Sequence, residues 1–330
     1  MGNASREPAS PQPPPDNHRV LAVVVTFRPD LEQLGHTLSS LSHQVSGLAL
    51  VDNTPEGIQI NLKHFQQEGE QRGTEPWIFW PNHRNLGLAA AQNIGLRLAI
   101  EHGYSHVLLS DQDTTFHDDA VDHLLAAHEA LSLSGHRVAA VAAGFEHPLK
   151  PAQEEVVFLR HEGLFWKRVH RSQGLCRISY AIAAGTLIPT AVLPRIGLMD
   201  ESLFIDWVDV AWCLQAARQG FELYGSADAR TSHRLGESMG TLLGRPVALH
   251  AAQRSYFITR NALRLALHLP APRGPQRLRF LWLALLYACV MPWISATPGL
   301  HGRMAWRGVR DGLRNRGGPL PTARRQGHAA

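Results

Sequence analysis

Cysteine is scarce: three in 330 residues, at Cys176, Cys213 and Cys289, odd in number and far apart. This excludes a disulfide scaffold and a cysteine zinc site, and suits a reducing compartment. No GxGxxG follows the first strand-like run and no GxxxxGK[ST] occurs, which disfavours a dinucleotide Rossmann site and a P-loop. The first 18 residues, MGNASREPASPQPPPDNH, hold five prolines and no apolar stretch, so a flexible tail is expected there, not a signal peptide. Acids are nearly missing from residues 301–330, which carry seven arginines against Asp311 alone, a net of 7 − 1 = +6. The other 300 residues hold 25 basic and 27 acidic groups, or −2, so the main body is not a nucleic-acid surface. The basic end suits anionic lipid, or simply solubility.

What is present is a globular composition, 44% apolar and 18% charged. VLAVVVTF (20–27) and LALVDN (48–53) are short apolar runs of the kind buried on both faces of a parallel sheet. WIFWPN (77–82) and HVLLSDQD (106–113) follow, with helical patterns over Leu31–Val45, Leu88–His102 and Asp118–Ser134 between and after them. The alternation predicts βαβ units and an α/β fold. Further on, a strand is expected at Ile178–Ala183, a loop running into a helix at Phe204–Gly220, short strands at Phe221–Tyr224 and Ala229–His233, and helix from Val247. Ligands of such sheets bind beyond the strands' carboxyl ends, and each of these ends carries a polar group: Thr26, Asp52, Asn82 and Asp111 to Asp113.

Asp111-Gln112-Asp113 sets two carboxylates at i, i+2 on a strand exit, able to aim oxygens at one hard cation. Asp is also common there as a turn residue, but its place after the fourth strand favours the cation. Asp52 suits hydrogen bonds from a base or ribose, or a turn. Asp206 and Asp209, three apart, share a helical face if the helix starts early, and Asp206 also suits an N-cap. A carboxylate among the aromatic and aliphatic neighbours of this segment gains proton affinity, which suits a general base. His233, one of nineteen histidines, is a weak candidate for metal or phosphate.

In order along the chain, VVVTFRPD (23–30), LVDNTPEG (50–57), NLGLAAAQNIGL (85–96), LLSDQD (108–113), FIDWVDVAWCLQAARQGF (204–221), SHRLGE (232–237), YFITRNALRL (256–265) and RGVRDGLRNRGG (307–318) resemble the inverting family 2 glycosyltransferases, and most closely their bacterial rhamnosyltransferase branch. The resemblance implies a GT-A fold, a Rossmann-like, mainly parallel mixed sheet flanked by helices, over residues 19–245, after the tail at 1–18 and before a helical region at 246–330. It implies that Thr26, Asp52, Asn85, Gly87, Asp111 and Arg260 meet the nucleotide-sugar donor. Asp113, with His233, would hold Mg²⁺ or Mn²⁺ on the diphosphate. Asp209 would be the catalytic base, and Asp206 and Trp207 would lie on the acceptor side. Two positions depart from the family's pattern: its usual acidic pair is Val208-Asp209 here, and the acid two positions later is Ala211. The implied reaction moves L-rhamnose from dTDP-L-rhamnose to a lipid-linked or oligosaccharide acceptor in lipopolysaccharide or exopolysaccharide assembly. A UDP-hexose or UDP-galactofuranose donor and a catalytically silent nucleotide-sugar-binding component are the alternatives. A nucleotidyltransferase is disfavoured, because Thr26-Phe27-Arg28-Pro29 replaces the glycine- and lysine-rich loop it requires.

Phe280–Ile294 holds 15 residues without a charge, and 280–296 holds 17, against the roughly 20 a bilayer crossing needs. Arginines flank it on both sides, and Trp282, Tyr287 and Trp293 suit an interface, so an in-plane anchor is expected, with a buried core helix as the competing reading. The implied location is the cytoplasmic face of the cell membrane, in peripheral contact with anionic lipid.

Overall fold

The computed structural model describes residues 18–61, 77–146, 156–162, 165–233, 239–242, 245–248, 251–295 and 297–321. Most of the proline-rich segment, most of SHRLGE and the last two arginines lie outside them.

Strands β1 (Val20–Thr26), β2 (Gly47–Asp52), β3 (Ile78–Pro81) and β4 (His106–Asp111) run parallel in the order β3-β2-β1-β4. Helices α1 (Leu31–Ser42), α2 (Leu88–Glu101) and α3 (Ala120–Leu133) flank the sheet. Asp30 starts α1 by accepting hydrogen bonds from the amides of Glu32 and Gln33. Successive residues of a strand point to opposite faces, so Val23 packs with Leu96 and Leu109 on one side, and Val24 with Leu34, Leu38 and Leu124 on the other. Burial on both faces explains why β1, β2 and β4 read as unbroken apolar runs.

Beyond β4 the sheet becomes mixed. β10 (Thr186–Pro189) pairs antiparallel with β4 and β6 (Val138–Glu146), and β11 (Glu222–His233) runs parallel to β6. β5 (Thr114–Phe116) and β9 (Leu175–Ile178) pair antiparallel with β11. The two short strands expected around 221–233 are thus one long strand, with a register shift between Ser226 and Arg230. The strand expected at Ile178–Ala183 is instead an irregular segment, because its amides at Ala181 and Ala183 bond Cys213 Sγ and Asp209 Oδ2 rather than a neighbouring strand. β7 (Val156–Glu162) and β8 (Phe165–Arg171) form a separate hairpin, and β12 (Met239–Leu242) pairs with β13 (Arg245–Ala248), whose last two residues, Val247 and Ala248, fall where helix was expected.

After a single turn, α4 (Leu193–Ile196), comes α5 (Val208–Arg218). The carboxyl-terminal region is helical: α6 (Ala252–Leu267), α7 (Gly274–Cys289), α8 (Met291–Ile294) and α9 (Pro298–Leu313). α9 lies so close to α6 that a Cβ on Gly308 would sit 2.5 Å from the Tyr256 carbonyl oxygen. Fully buried Asp311 accepts the Tyr256 hydroxyl at 3.1 Å and pairs with Arg310 at 2.9 Å and Arg316 at 3.6 Å. Two arginines of the basic end therefore serve the fold. The charge-free stretch is broken near Val290, and α7 is two-faced: Phe280, Leu283, Ala284 and Ala288 point inward, while Leu278, Trp282 and Leu285 are exposed. No helix of the described residues is long and apolar enough to cross a membrane.

Candidate active site

Parallel pairing sets Thr26 beside Asp52 on one side and Val25 beside Asp111 on the other, so three of the expected residues share one end of the sheet. Thr26 Oγ1 donates to Asp52 Oδ1 at 2.9 Å, as does the Thr54 amide at 3.0 Å. Asp52 is fully buried and its Oδ2 has no partner. A buried carboxylate oxygen without a donor is costly, and a ligand N–H or O–H would satisfy it. Asn53, which the sequence reading did not single out, joins two loops: its Nδ2 donates to the Gly87 carbonyl at 3.1 Å and its Oδ1 accepts from Asn82 at 3.0 Å. Asn85 is exposed and closes a turn by accepting from the Gly87 amide at 2.9 Å.

Asp111 ends β4, and Asp113 follows in the turn into β5. Gln112 fixes that turn: its side-chain oxygen accepts from the Phe27 amide at 2.8 Å, and its carbonyl accepts from Thr37 Oγ1 at 3.1 Å. Among the described residues, no three metal-ligating side chains gather. A pair of hard carboxylates nonetheless fits a divalent ion that completes its shell with phosphate oxygens and water. Backbone register puts His233 opposite Thr114, the residue after Asp113, while its side chain lies outside the described residues.

Asp209 stands in the first turn of α5. Its Oδ2 accepts from the Ala183 amide at 3.2 Å, and its Oδ1 is buried without a partner. Burial first, and then the negative charge of Asp111, push the carboxyl up to about 7, against the smaller opposing pull of the Ala183 amide and the Gln92 side chain. A carboxyl poised there exchanges protons near neutrality, as a general base requires.

The residues leading into Asp209 are strained. Phe204, Asp206 and Trp207 all have positive φ, at 68°, 63° and 67°. Asp206 therefore shares no helical face with Asp209, and it is not the N-cap, which is Trp207 without a side-chain cap bond. Instead Asp206 Oδ1 pairs with Arg254 at 2.6 Å, and its Oδ2 is buried without a partner. Strain of this kind persists only when surroundings over-determine it, and α6 does so. Asn261 Nδ2 donates to the carbonyls of Leu203, Ile205 and Asp206 at 2.9, 2.8 and 3.0 Å. Arg260 is fully buried, and its Nε, Nη1 and Nη2 go to Asn261 Oδ1, the Gly318 carbonyl and the Leu203 carbonyl. Arg260 was expected at the donor. Its burial and its commitment to these acceptors make it a positioning residue behind the loop. The Gly318 amide also donates to the Ser202 carbonyl at 2.7 Å, so the segment that follows α9 braces the same loop.

No protein-family model matches the chain. It is 27% identical to the dTDP-rhamnosyl transferase RfbF of Shigella flexneri over 251 residues, 76% of this chain and 80% of that protein. It is 29% identical to the galactofuranosyltransferase GlfT1 of Mycobacterium tuberculosis H37Rv over 257 residues, 73% and 80% of the two chains. Among solved structures, S. aureus TarS 1–349 superposes with a TM-score of 0.53 at 14% identity, over 90% of this chain and 80% of that one. GalNAc-T7 with UDP, GalNAc and Mn²⁺ gives 0.52 at 14% identity over 81% of this chain, which spans 56% of the larger protein. Sheet order and these likenesses define a glycosyltransferase of the GT-A fold. Within that class the chain is rhamnosyltransferase-like in sequence.

Proposed function

We propose that the protein is an inverting, metal-dependent family 2 glycosyltransferase that moves L-rhamnose from dTDP-L-rhamnose to a lipid-linked glycan acceptor in cell-surface polysaccharide assembly. The observation that carries the chemistry is Asp209, a buried carboxyl raised to about 7 with a free Oδ1, next to the charge of Asp111. Asp209 takes the proton from an acceptor hydroxyl, whose oxygen attacks the anomeric carbon opposite the departing diphosphate. Asp52 Oδ2 accepts from the nucleoside, and Thr26, Asn85, Gly87 and Asp111 surround it. Asp113, with His233 across the strand register, would hold Mg²⁺ or Mn²⁺, which when bound supplies charge neutralisation on the leaving diphosphate. The Mn²⁺ named with GalNAc-T7 supports a divalent ion. The rhamnosyl donor rests on the similarity to RfbF, and a UDP-galactofuranose donor is the second reading, favoured by the similarity to GlfT1.

Donor hydrolysis across a nucleotide-sugar panel tests this reading. EDTA-sensitive release of dTDP from dTDP-rhamnose is expected, with loss of most activity and of metal dependence in Asp113→Ala. Preferential release of UDP would overturn the donor, and unchanged Mn²⁺ affinity in Asp113→Ala would overturn the ligand assignment.

The same reading includes peripheral contact with the cytoplasmic face of an anionic membrane. Leu278, Trp282 and Leu285 follow i, i+4, i+7 spacing on the outer face of α7, Trp293 on α8 is 83% exposed, and Arg303 is exposed nearby in sequence. Co-sedimentation with phosphatidylglycerol vesicles, weaker with neutral phosphatidylcholine and lost in the double variant Trp282→Ser/Trp293→Ser, is the expected result. Equal recovery of wild type and variant in the pellet would remove the anchor.

A further inference from the structure

Four polar side chains from four separate segments meet beside the strained loop, each with one buried polar atom that lacks a well-formed hydrogen bond. Trp166 of β8 lies with its ring centroid 5.1 Å from Tyr180 and 6.3 Å from Trp207. The Arg279 guanidinium sits over the Trp166 ring, 5.4 Å from its centroid. His161 pairs with Trp166 across the β7–β8 hairpin. The Arg279 charge reaches both His161 and Tyr180. Trp166 Nε1, Tyr180 Oη, His161 Nε2 and Arg279 Nε are all buried and unsatisfied. One orphan is tolerable, but four in one place require an explanation. Arg279 is further unusual in being half-buried with no salt bridge among the described residues, while its guanidinium lies over the indole face. Meanwhile Tyr180 stands three residues before Ala183, whose amide holds Asp209, so the cluster adjoins the base.

We propose that Arg279, His161, Trp166 and Tyr180 form an acceptor subsite for a pyranose ring bearing an oxyanion, with the ring against the Trp166–Trp207 corner and the oxyanion on Arg279. The donor set dictates this ligand. A guanidinium, a phenol and an indole N–H all give hydrogen bonds, so the partner must be rich in acceptor oxygens, and the uncompensated cation calls for a negative one. Flat aromatic walls suit the apolar face of a sugar ring. Side-chain adjustment on binding, common at interfaces, brings the deeper His161 and Tyr180 atoms into contact. α7 delivers Arg279 to this subsite from the helix that turns Leu278, Trp282 and Leu285 outward, which places a lipid-borne phosphate and the apolar face on one element.

The inference rests on the glycosyltransfer reading but fails separately from it. Binding of glucose 1-phosphate, inorganic phosphate and methyl glucoside to the full-length protein is measured by ligand-observed NMR, in the presence of saturating dTDP. Glucose 1-phosphate is expected to bind best, about 10- to 100-fold more weakly in Arg279→Gln, with partial recovery in Arg279→Lys and weakening in Tyr180→Phe. dTDP affinity of each variant reports its fold. If glucose 1-phosphate binds no better than phosphate alone, or equally to wild type and Arg279→Gln, the subsite is wrong and Arg279 only staples α7 to the hairpin. A protein that fails to bind dTDP at all overturns the donor reading instead, and Arg279-dependent binding of glucose 1-phosphate without dTDP still decides the subsite.

Discussion

Asp209→Asn is expected to lose about 10²- to 10⁴-fold in kcat while retaining donor affinity, because an amide cannot accept the acceptor's proton and general-base assistance is typically of that size. Wild-type kcat/KM should fall about tenfold per pH unit below the value near 7 to which burial and Asp111 raise the carboxyl, and level off above it. The same substitution should stabilise the fold. A carboxyl raised from the ordinary aspartate value of about 4 to about 7 binds its proton more tightly folded than unfolded. Its ionisation therefore costs the native state increasingly as pH rises between those two values, and by a constant amount above them. Asparagine removes that cost, so the gain in Tm over wild type should be small near pH 4, grow towards pH 7 and then stay level. A variant that is inactive but no more stable at pH 8 would show that Asp209 is not destabilised by burial. A fully active one would remove it as the base.

How much of this was legible without coordinates depended on what each residue answers to. The strands β1, β2 and β4 are buried on both faces, so their apolar runs announced them within a residue or two. The acidic strand exits at Asp52 and Asp111 followed directly, since a strand end points its last side chains at the crevice. The loop at 204–207 was not legible in the same way. Its positive φ angles sit on phenylalanine, aspartate and tryptophan, residues that do not signal a left-handed conformation. Its conformation is imposed from α6, some 55 residues later, through Asn261 and Arg260. Arg260 was misplaced for that reason: a cation in a motif suggests a phosphate, and only packing shows that its partners are carbonyls. Gln92, buried in α2 and lowering the proton affinity of Asp209, was likewise not singled out, because a glutamine within the motif NLGLAAAQNIGL gives no sign of facing a base some 117 residues later. The hairpin β7–β8 is not legible because neither VVFLRHE nor FWKRVHR alternates apolar with polar residues.

Gly87→Ala is the second substitution with a large expected effect, because Gly87, besides its place at the nucleoside, abuts the catalytic loop. Gly87 precedes α2 with φ 89° and ψ 162°, a region open almost to glycine alone. A Cβ built there would lie 2.6 Å from both the ring and the carbonyl oxygen of Phe204. That carbonyl accepts the first amides of α2, from Leu88 at 2.6 Å and Ala89 at 3.4 Å, so it takes the place of a capping side chain. The Phe204 ring is itself stacked on Phe257 of α6, 5.2 Å between centroids, which resists its displacement, and the carbonyl is fixed backbone. The methyl group must therefore push the backbone of residues 204–207, and with it the start of the helix that carries Asp209. A control separates this contact from backbone strain. Gly57 also has positive φ, at 75°, but nothing lies within 4 Å of its Cβ position. Strain alone should cost each alanine variant about 1–3 kcal/mol in urea unfolding. Gly87→Ala should lose clearly more than Gly57→Ala and, in addition, most of its kcat. Equal stability losses with activity intact in both would mean that the loop tolerates displacement, and that the left-handed residues before Asp209 do not need the Phe204 contact to hold the base in place.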